Sequence, residues 1–286
     1  MNCIFVSDLH GHLDRYQKLF NLILSEKPDA VFLGGDLLPH EHLSTHSLKI
    51  GHRDFVHGYL LAEFEKIKDE LGDFYPAIFL ILGNDDSRFQ EASILELSAH
   101  GFWHYINFRS IDWRDFTVFG YSYIPPSPFQ LKDWEKYDVS RFVDPGSISP
   151  EEGFRTVPVS DEEKRYSTIE RDLNSLAEDR DLSRSIFLFH SPPYQTHLDR
   201  AALDGKMVDH APLDVHIGSI AIRRFIENRQ PLLCLHGHVH ESTEMTGEWR
   251  DRIGRTHLYS AAHDGPELAV VRFNPEEPEM AHRDLI

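Results

Sequence analysis

The chain has 286 residues, 41% of them hydrophobic, and a formal net charge of −18 at pH 7, because 47 Asp and Glu residues outnumber 29 Lys and Arg residues. This composition excludes collagen, coiled coils and wholesale disorder, and a chain of this length can bury a sizeable core. Because it has no lysine- or arginine-rich block, the chain is a poor partner for long nucleic acid and for acidic membrane surfaces. The 19 His residues are the unusual figure, since histidine is the commonest metal ligand.

Short apolar runs alternate with segments of helical periodicity in the first part of the chain. Unalternating runs at 3–6, 30–33 and 77–82 predict buried strands, and helical spacing predicts helices over 13–24, 55–71 and about 90–99. Strands buried on both faces and separated by helices are typical of a largely parallel sheet with crossover connections. The first part of the chain is therefore predicted to be an α/β unit.

A loop-rich segment interrupts this pattern at about 123–160. It contains several prolines and scattered aromatic residues, and we interpret it as an insertion within a single domain spanning 1–286. Our hypothesis is that the insertion acts as a lid. The acidic runs at 133–138 and 161–165 are interpreted as solvated faces. Further strands are predicted at 105–108, 116–121, 185–189, 232–235, 257–260 and 268–273, and further helices at about 166–176 and 217–228.

The cysteines and the apolar runs bear on the compartment. Cys3 and Cys234 each lie in a predicted interior strand, so buried thiols are favoured over a disulfide. The pattern of a secretory signal is not found, and the longest apolar run, at 77–82, is far too short to cross a bilayer. We therefore predict a cytoplasmic location and no membrane partner.

Side chains that can bind metals follow several of the predicted strands. In open α/β sheets, ligands bind beyond the carboxyl ends of the strands, so residues at these ends can converge although they are far apart in the chain. Carboxylate, amide and imidazole groups all occur there. The candidates are Asp8, His10, Asp36, Asn84, His190, His238 and His240.

These residues stand in an ordered set of motifs: DLH, GGD, GND, a lone His after an apolar strand, and GHVH. The set resembles the calcineurin-like metallophosphoesterase superfamily. That resemblance implies an α/β fold, a two-sheet β-sandwich flanked by helices in four αββα layers. It also implies two divalent ions, of which the first is held by Asp8, His10, Asp36 and His240, and the second by Asp36, Asn84, His190 and His238, with Asp36 bridging. Mixed nitrogen and oxygen ligands suit Mn, Fe or Zn.

The sequence departs from the family pattern at two positions. Pro39 stands where the GDxxD motif has its second Asp, and Asp85 stands where the GNH[DE] motif has a His that serves as proton donor or phosphate contact. A carboxylate at that position repels phosphate unless it is protonated, turned away or beside a metal. Asp85 is the candidate catalytic residue, and its contribution is left open.

The implied activity is metal-dependent hydrolysis of a small phosphodiester or phosphomonoester. Our mechanistic hypothesis is attack on phosphorus by a hydroxide that bridges the two ions, without a covalent intermediate. Besides Asn84, the candidate phosphate contacts are His12, Arg88 and His216, of which Arg88 offers bidentate geometry. Surface or helix-cap roles are the alternative for Arg88 and His216.

Two other functions use the same fold. A nuclease needs a basic path for nucleic acid that this sequence does not supply, and a non-catalytic binding module, as in some retromer subunits, has a degraded metal site. The intact ligand set favours an enzyme, while Asp85 keeps the binding module open. The oligomeric state and the substrate are not predicted.

A dense run of histidines lies between residues 40 and 57, namely His40, His42, His46, His52 and His57. A second metal site is one interpretation. Because the run lacks a short fixed ligand spacing, the favoured interpretation is that these are solvated histidines in a loop.

Overall fold

The computed structural model describes residues 1–39 and 54–286. Its strands are β1 Cys3–Val6, β2 Ala30–Gly34, β3 Ala77–Ile81, β4 His104–Tyr105, β5 Arg109–Trp113, β6 Phe116–Tyr121, β7 Ser185–Phe189, β8 Met207–Val208, β9 Ala211–Pro212, β10 Leu233–His236, β11 Arg250–Ile253, β12 Thr256–Ser260, β13 Ala269–Phe273 and β14 His282–Leu285. Its α-helices are α1 Leu13–Glu26, α2 Leu61–Leu71, α3 Glu91–Ala99, α4 Asp161–Tyr166, α5 Ile169–Ala177, α6 Ile220–Arg229 and α7 Ser242–Thr246.

Twelve of these described strands form two mixed sheets of six strands each, in the orders β14-β13-β1-β2-β3-β4 and β11-β12-β10-β7-β6-β5, and β8 and β9 form a separate two-stranded sheet. The central strands run parallel in both sheets, from β1 to β4 in the first and through β6, β7, β10 and β12 in the second. Antiparallel strands lie at one edge of the first sheet, β13 and β14, and at both edges of the second, β5 and β11. Helices flank the sheets, so the predicted two-sheet sandwich is confirmed.

Each central strand is buried on both faces, which explains its unbroken apolar sequence. In β1, Cys3 and Phe5 belong to the core between the sheets, together with Ile186 of β7 and Leu233 of β10. The alternate residues of β1 face the helical layers and pack in a second cluster with helix residues such as Phe20. Each fully buried side chain of this kind contributes roughly 1.5–3 kcal/mol to folding.

Helix α1 shows how a helix positions a functional loop. Its apolar residues recur at helical spacing, and Tyr16, Phe20 and Ile23 are buried against the sheet. The hydroxyl of Tyr16 donates a hydrogen bond of 2.9 Å to the carbonyl of Leu37, in the loop that follows β2. The packing of α1 therefore helps to hold the backbone next to Asp36.

The insertion at 123–160 packs on the loops that follow β3 and precede α6. Trp134 is 0% exposed, and its indole N–H donates to the carbonyl of Asp86 at 2.8 Å. The interpretation of 133–138 as a solvated face is wrong, because Asp133 and Glu135 are each 1% exposed and Asp138 9%. Asp138 accepts hydrogen bonds from the Ser219 hydroxyl at 2.6 Å and the Ile220 N–H at 2.7 Å, and so caps α6.

Two further observations concern the cysteines and the helices. Both cysteines are free and buried, as predicted. Within the part of the chain that the structure describes, no helix combines the length and the apolar composition that crossing a bilayer requires.

Candidate metal centre

The predicted ligands lie in loops that directly follow β1, β2, β3, β7 and β10. Because parallel strands end at the same edge of a sheet, each sheet presents its own ligands at one edge. Hydrogen bonds then join the two edges: Nδ1 of His190 lies 2.8 Å from the carbonyl of Gly34, and His238 N–H donates to Asp8 Oδ1 at 3.1 Å. The sandwich thus brings together residues as far apart in the chain as Asp8 and His240, which are separated by 232 positions.

One group of candidate ligands consists of Asp8, His10, Asp36 and His240, each offering a ligand atom within 4.8 Å of the others. The Nε2 atoms of His10 and His240 lie 3.2 Å apart. Nε2 of His240 is also 3.3 Å from Asp8 Oδ1. Imidazole nitrogens and a carboxylate oxygen that face one another at such distances suit a shared divalent ion.

The second group consists of Asp36, His190 and His238, whose ligand atoms also lie within 4.8 Å of one another. His190 Nε2 lies 3.2 Å from Asp36 Oδ2 and 2.9 Å from Asn84 Oδ1. The carbonyl of Gly34, 2.8 Å from His190 Nδ1, can only accept a hydrogen bond, so Nδ1 carries a proton and Nε2 is the nitrogen that could coordinate a metal. Asp36 belongs to both groups.

Charges within the two groups are paired. Burial raises the pKa of Asp8, but the hydrogen bond and charge of His240 outweigh burial and lower it to about 2. Likewise, burial lowers the pKa of His190, but Asp36 outweighs it and raises the pKa to about 10. The pKa of His240 is raised to about 9 against burial by Asp8. Two protonated imidazoles thus balance two carboxylates, and divalent ions can replace those protons.

His238 behaves differently. Burial and the neighbouring His190 lower the pKa of His238 to about 3. Its ring is therefore neutral at physiological pH, which is the form that coordinates a metal.

Several ligand positions have backbone in the left-handed region. The φ angles are 58° at Asp8, 45° at His10, 52° at Asp36 and 75° at His238. Such residues cost about 1–3 kcal/mol each and persist only where the surroundings determine them. Here the N–H of His10 donates to the carbonyl of Asp36 at 2.8 Å, and the N–H of Asp8 donates to the carbonyl of Gly35 at 3.0 Å. Hydrogen bonds between the loops thus support strained backbone at these candidate ligands.

Gly83 is required by close approach at the centre. A Cβ atom placed on Gly83 would lie against Oδ1 of Asp36 and 2.6 Å from Cε1 of His190. Any side chain at this position would push ligands from both sheets apart.

Asp85 lies beside the first group of ligands. Its N–H donates to Asp36 Oδ1 at 2.8 Å, and its Oδ1 accepts from Asn84 Nδ2 at 3.0 Å. Oδ2 is 3.7 Å from Nδ1 of His10, and the side chain is 27% exposed. The carboxylate is thus turned toward a candidate ligand, which is one arrangement that relieves its repulsion of phosphate.

The other predicted contacts belong to neither group of ligands. Arg88 Nε lies 3.3 Å from Glu91 Oε2, and the guanidinium lies 5.4 Å from the centre of the Trp134 ring. His12 is the N-cap residue of α1. His216 pairs with Asp199 at 2.8 Å.

Of the His-rich run, only His57 falls within the described residues. Its Nδ1 lies 2.6 Å from Asp54 and its Nε2 lies 3.3 Å from Glu96. His40, His42, His46 and His52 lie outside the described residues. In residues 1–39 and 54–286, no third group of candidate metal ligands is found.

Sequence reasoning missed Asp86, although the GNH[DE] pattern contains an acidic residue at that point. Its fully buried carboxylate accepts from the N–H groups of Leu37 at 3.1 Å, Leu38 at 2.7 Å and Gly83 at 2.9 Å. Asp86 therefore ties the loop that carries Asp36 to the loop that carries Asn84.

Comparisons with known proteins identify the family and the fold of the chain. A family model described as calcineurin-like phosphoesterase matches residues 1–242. A comparison with curated proteins finds no match. One solved structure superposes with a TM-score of 0.58 at 16% identity, covering 99% of this chain and 98% of the other.

Two further solved structures have the same fold. The protein TT1561 of Thermus thermophilus has a TM-score of 0.55 at 16% identity, covering 99% of this chain and 98% of its own. A dimetal phosphatase from Danio rerio has a TM-score of 0.52 at 12% identity, covering 95% of this chain and 92% of its own. At these identities the solved structures establish only the fold. The family is established by the family model, which covers most of the chain. The chain belongs to the calcineurin-like phosphoesterase family.

Proposed function

We propose that this protein hydrolyses a small phosphate ester, a phosphodiester or a phosphomonoester, at a dinuclear metal site. The observation that carries the proposal is that the Asp36 carboxylate is common to both groups of candidate ligands. A shared carboxylate is the feature that a two-ion site needs and that two independent structural sites do not.

In this proposal Asp8, His10, Asp36 and His240 hold one ion, and Asp36, Asn84, His190 and His238 hold the other. Mn, Fe and Zn all suit the mixed donor set. Two such ions supply charge neutralisation for the phosphate oxygens and a lowered pKa for bound water.

The chain's own residues orient this chemistry. The Gly34 carbonyl fixes the tautomer of His190, and the Asp85 carboxylate lies 3.7 Å from Nδ1 of His10. Arg88, His12, His216 and Asn84 are the proposed phosphate contacts. For Arg88 this requires that its guanidinium exchange Glu91 for the substrate.

We also propose that the chain is one domain in which the insertion borders the substrate site. The contact of Trp134 with the Asp86 carbonyl supports this. Free buried thiols suit a reducing compartment, so a cytoplasmic location belongs to the same proposal.

The test is metal-dependent turnover. Protein freed of metal by chelation is reconstituted with Mn²⁺, Fe²⁺ or Zn²⁺ and assayed on bis-p-nitrophenyl phosphate and p-nitrophenyl phosphate. The proposal expects turnover that requires added metal and is lost in Asp36→Asn. Absence of metal-dependent turnover on every ester of a broad panel would reject it.

A further inference from the structure

A histidine–aspartate pair lies in the long connection between β7 and α6, apart from the candidate metal ligands. His216 Nδ1 is 2.8 Å from Asp199 Oδ1. The Asp199 carboxylate is 0% exposed and accepts from the N–H groups of Gln195 at 2.8 Å, Thr196 at 2.9 Å and Gly218 at 3.2 Å. Because backbone N–H groups occupy both oxygens, Asp199 acts as an acceptor, and Nδ1 of His216 carries a proton.

The pair orients the imidazole for chemistry at Nε2. With Nδ1 held by Asp199, Nε2 is the other nitrogen of a ring whose side chain is 28% exposed. Tyr194 makes an edge contact with the ring at 6.1 Å between centroids. A buried carboxylate that fixes the tautomer of a partly exposed imidazole is the arrangement of a general acid or base.

The connection lies at the same edge as the candidate metal centre. It begins directly after His190, and in a parallel crossover the chain leaves the sheet at the edge where the preceding strand ends. His216 pairs with Arg200 in a β-bridge, and the N–H of Ala202 donates to Glu241 Oε1 at 3.2 Å, beside His240. The segment therefore starts at one candidate ligand, His190, and its Ala202 contacts the loop that carries another, His240.

The proposed hydrolysis needs a group that protonates the leaving oxygen. When an ester bond to phosphorus breaks, the leaving oxygen develops negative charge, and an alkoxide or phenoxide needs a proton. Asp85, the acidic side chain beside the first ligand group, is engaged by His10 and Asn84.

We propose that His216, oriented by Asp199, donates the proton to the leaving oxygen; this rests on the proposed function. In the step, the oxygen of water bonds to phosphorus as the ester P–O bond breaks. The proton on Nε2 passes to the leaving oxygen to give the alcohol. The ring then regains a proton from the water that attacked, so the sum is ester plus water giving phosphate plus alcohol. Asp199 balances the charge of the ring while both nitrogens are protonated.

The test compares leaving groups. His216→Gln and wild type, both loaded with the metal that supports turnover, are assayed on phenyl and 2,4-dinitrophenyl esters of the same phosphate. Loss of a proton donor should lower kcat/KM by about 10²–10⁴-fold for the phenyl ester, the range for general acid catalysis. The dinitrophenyl ester, whose leaving group needs no proton, should lose little.

Rescue by added imidazole distinguishes a proton donor from a histidine with a merely structural role. Added imidazole should restore turnover of the phenyl ester by His216→Ala and leave the dinitrophenyl ester unchanged. Metal content and thermal unfolding of both variants should match wild type, because His216 is partly exposed and outside both ligand groups.

The outcomes separate the two proposals. An equal loss on both esters, or no rescue, overturns the role of His216 while the phosphoesterase proposal stands. Absence of metal-dependent turnover by wild type on either ester overturns both.

Discussion

Asp36 is the residue on which both halves of the candidate metal centre depend, because its carboxylate belongs to both ligand groups. Asp36→Asn should therefore abolish binding of both ions, whereas His10→Gln, which alters one group, should leave the second ion bound. Replacing an outer partner of a ligand costs ~10–100-fold in affinity, and loss of the shared ligand should cost more. Isothermal titration with Mn²⁺ or Zn²⁺ and elemental analysis measure this.

The comparison of the two variants is its own control, since both remove one ligand. If Asp36→Asn retained two ions per chain, or if both variants lost the same single ion, the bridging assignment would be wrong.

Metal affinity should depend on pH through the paired histidines. The pKa values of about 10 for His190 and about 9 for His240 mean that both rings are protonated near neutral pH without metal. Each proton must leave before the ring can coordinate. Affinity should therefore rise with pH between about 6 and 8, by about tenfold per pH unit for each displaced proton. Competition with a metal indicator gives the slope, and a flat profile would contradict the pairing.

The same raised pKa values set the sign for the stability of the metal-free protein. A histidine whose pKa is raised above its ordinary 6.5 in the folded state stabilises the fold. The full contribution is present below pH 6.5, and it is lost as pH rises toward the folded values of about 9 for His240 and about 10 for His190.

The order of the motifs predicted which side chains are brought together, because strand ends can be read from apolar runs. The sequence did not predict the left-handed backbone at Asp8 and Asp36 or the direction in which Asp85 points. Both depend on hydrogen bonds from loops elsewhere in the chain.

At the level of elements, Asp86 joins two ligand loops through three backbone N–H groups. Asp86→Ala would leave these buried donors without an acceptor, and each unsatisfied donor costs about 1–3 kcal/mol. We expect the free energy of unfolding to fall by about 3 kcal/mol or more, as measured by urea denaturation. The exposed Asp73, changed to Asn, is the control and should be neutral. A loss below about 1 kcal/mol would show that the loops do not depend on this carboxylate.

A buried ion pair holds the insertion together. Nζ of Lys132 lies 2.6 Å from Oε2 of Glu135, and both side chains are 0% exposed. Burial raises the pKa of Glu135 to about 7 even though Lys132 opposes the shift. Lys132→Met removes that opposing charge and leaves a carboxylate buried without its partner, which typically costs about 3–5 kcal/mol.

The cost should depend on pH. The pKa of Glu135 is higher in the folded state than its ordinary 4.5, so its contribution is complete below that ordinary value and is lost as pH rises through the folded value. Lys132→Met should therefore be far less stable than wild type at about pH 8 and closer to it at about pH 5. Adding Glu135→Gln should recover part of the loss at the higher pH. Urea denaturation at the two pH values decides this, and a difference independent of pH would argue against a buried charge.

Helix periodicity missed α4, which its N-cap could have revealed. The predicted helix at 166–176 corresponds to α5, which begins at Ile169, whereas α4, over Asp161–Tyr166, lies mostly before it. Ser160 and Thr168 each cap one of these helices through their side chains. Ser160 followed by Glu163 is a capping-box pattern and was readable in the sequence. By contrast, the burial of Asp133 and Glu135 could not be read from composition, because it depends on contacts that form only in the folded chain.

For the whole molecule, the candidate centre exists only where two sheets meet. Asp8, Asp36 and Asn84 come from one sheet, and His190, His238 and His240 come from the other. Local patterns predicted the central strands, and strands that follow one another in the chain, such as β1, β2 and β3, are neighbours in the sheet. They did not predict that β13, near the end of the chain, pairs with β1, because that register is decided by contacts between distant segments.

We expect the net charge of −18 to affect the choice of substrate as well. Around a negative protein, a long polyanion is repelled along its whole length, whereas a small ester meets chiefly the local field of the site. We expect kcat/KM for a p-nitrophenyl ester of a single nucleotide to exceed that for the same ester at the end of an oligonucleotide by about tenfold or more at low salt.

Salt provides the check on that expectation. The Debye length falls from about 30 Å at 0.01 M to about 10 Å at 0.1 M, so added salt screens the distant charges of the oligonucleotide more than the contacts at the site. The preference for the small ester should therefore shrink as salt increases. An oligonucleotide that is the better substrate at low salt, and loses that advantage on adding salt, would instead indicate a basic path and favour a nuclease.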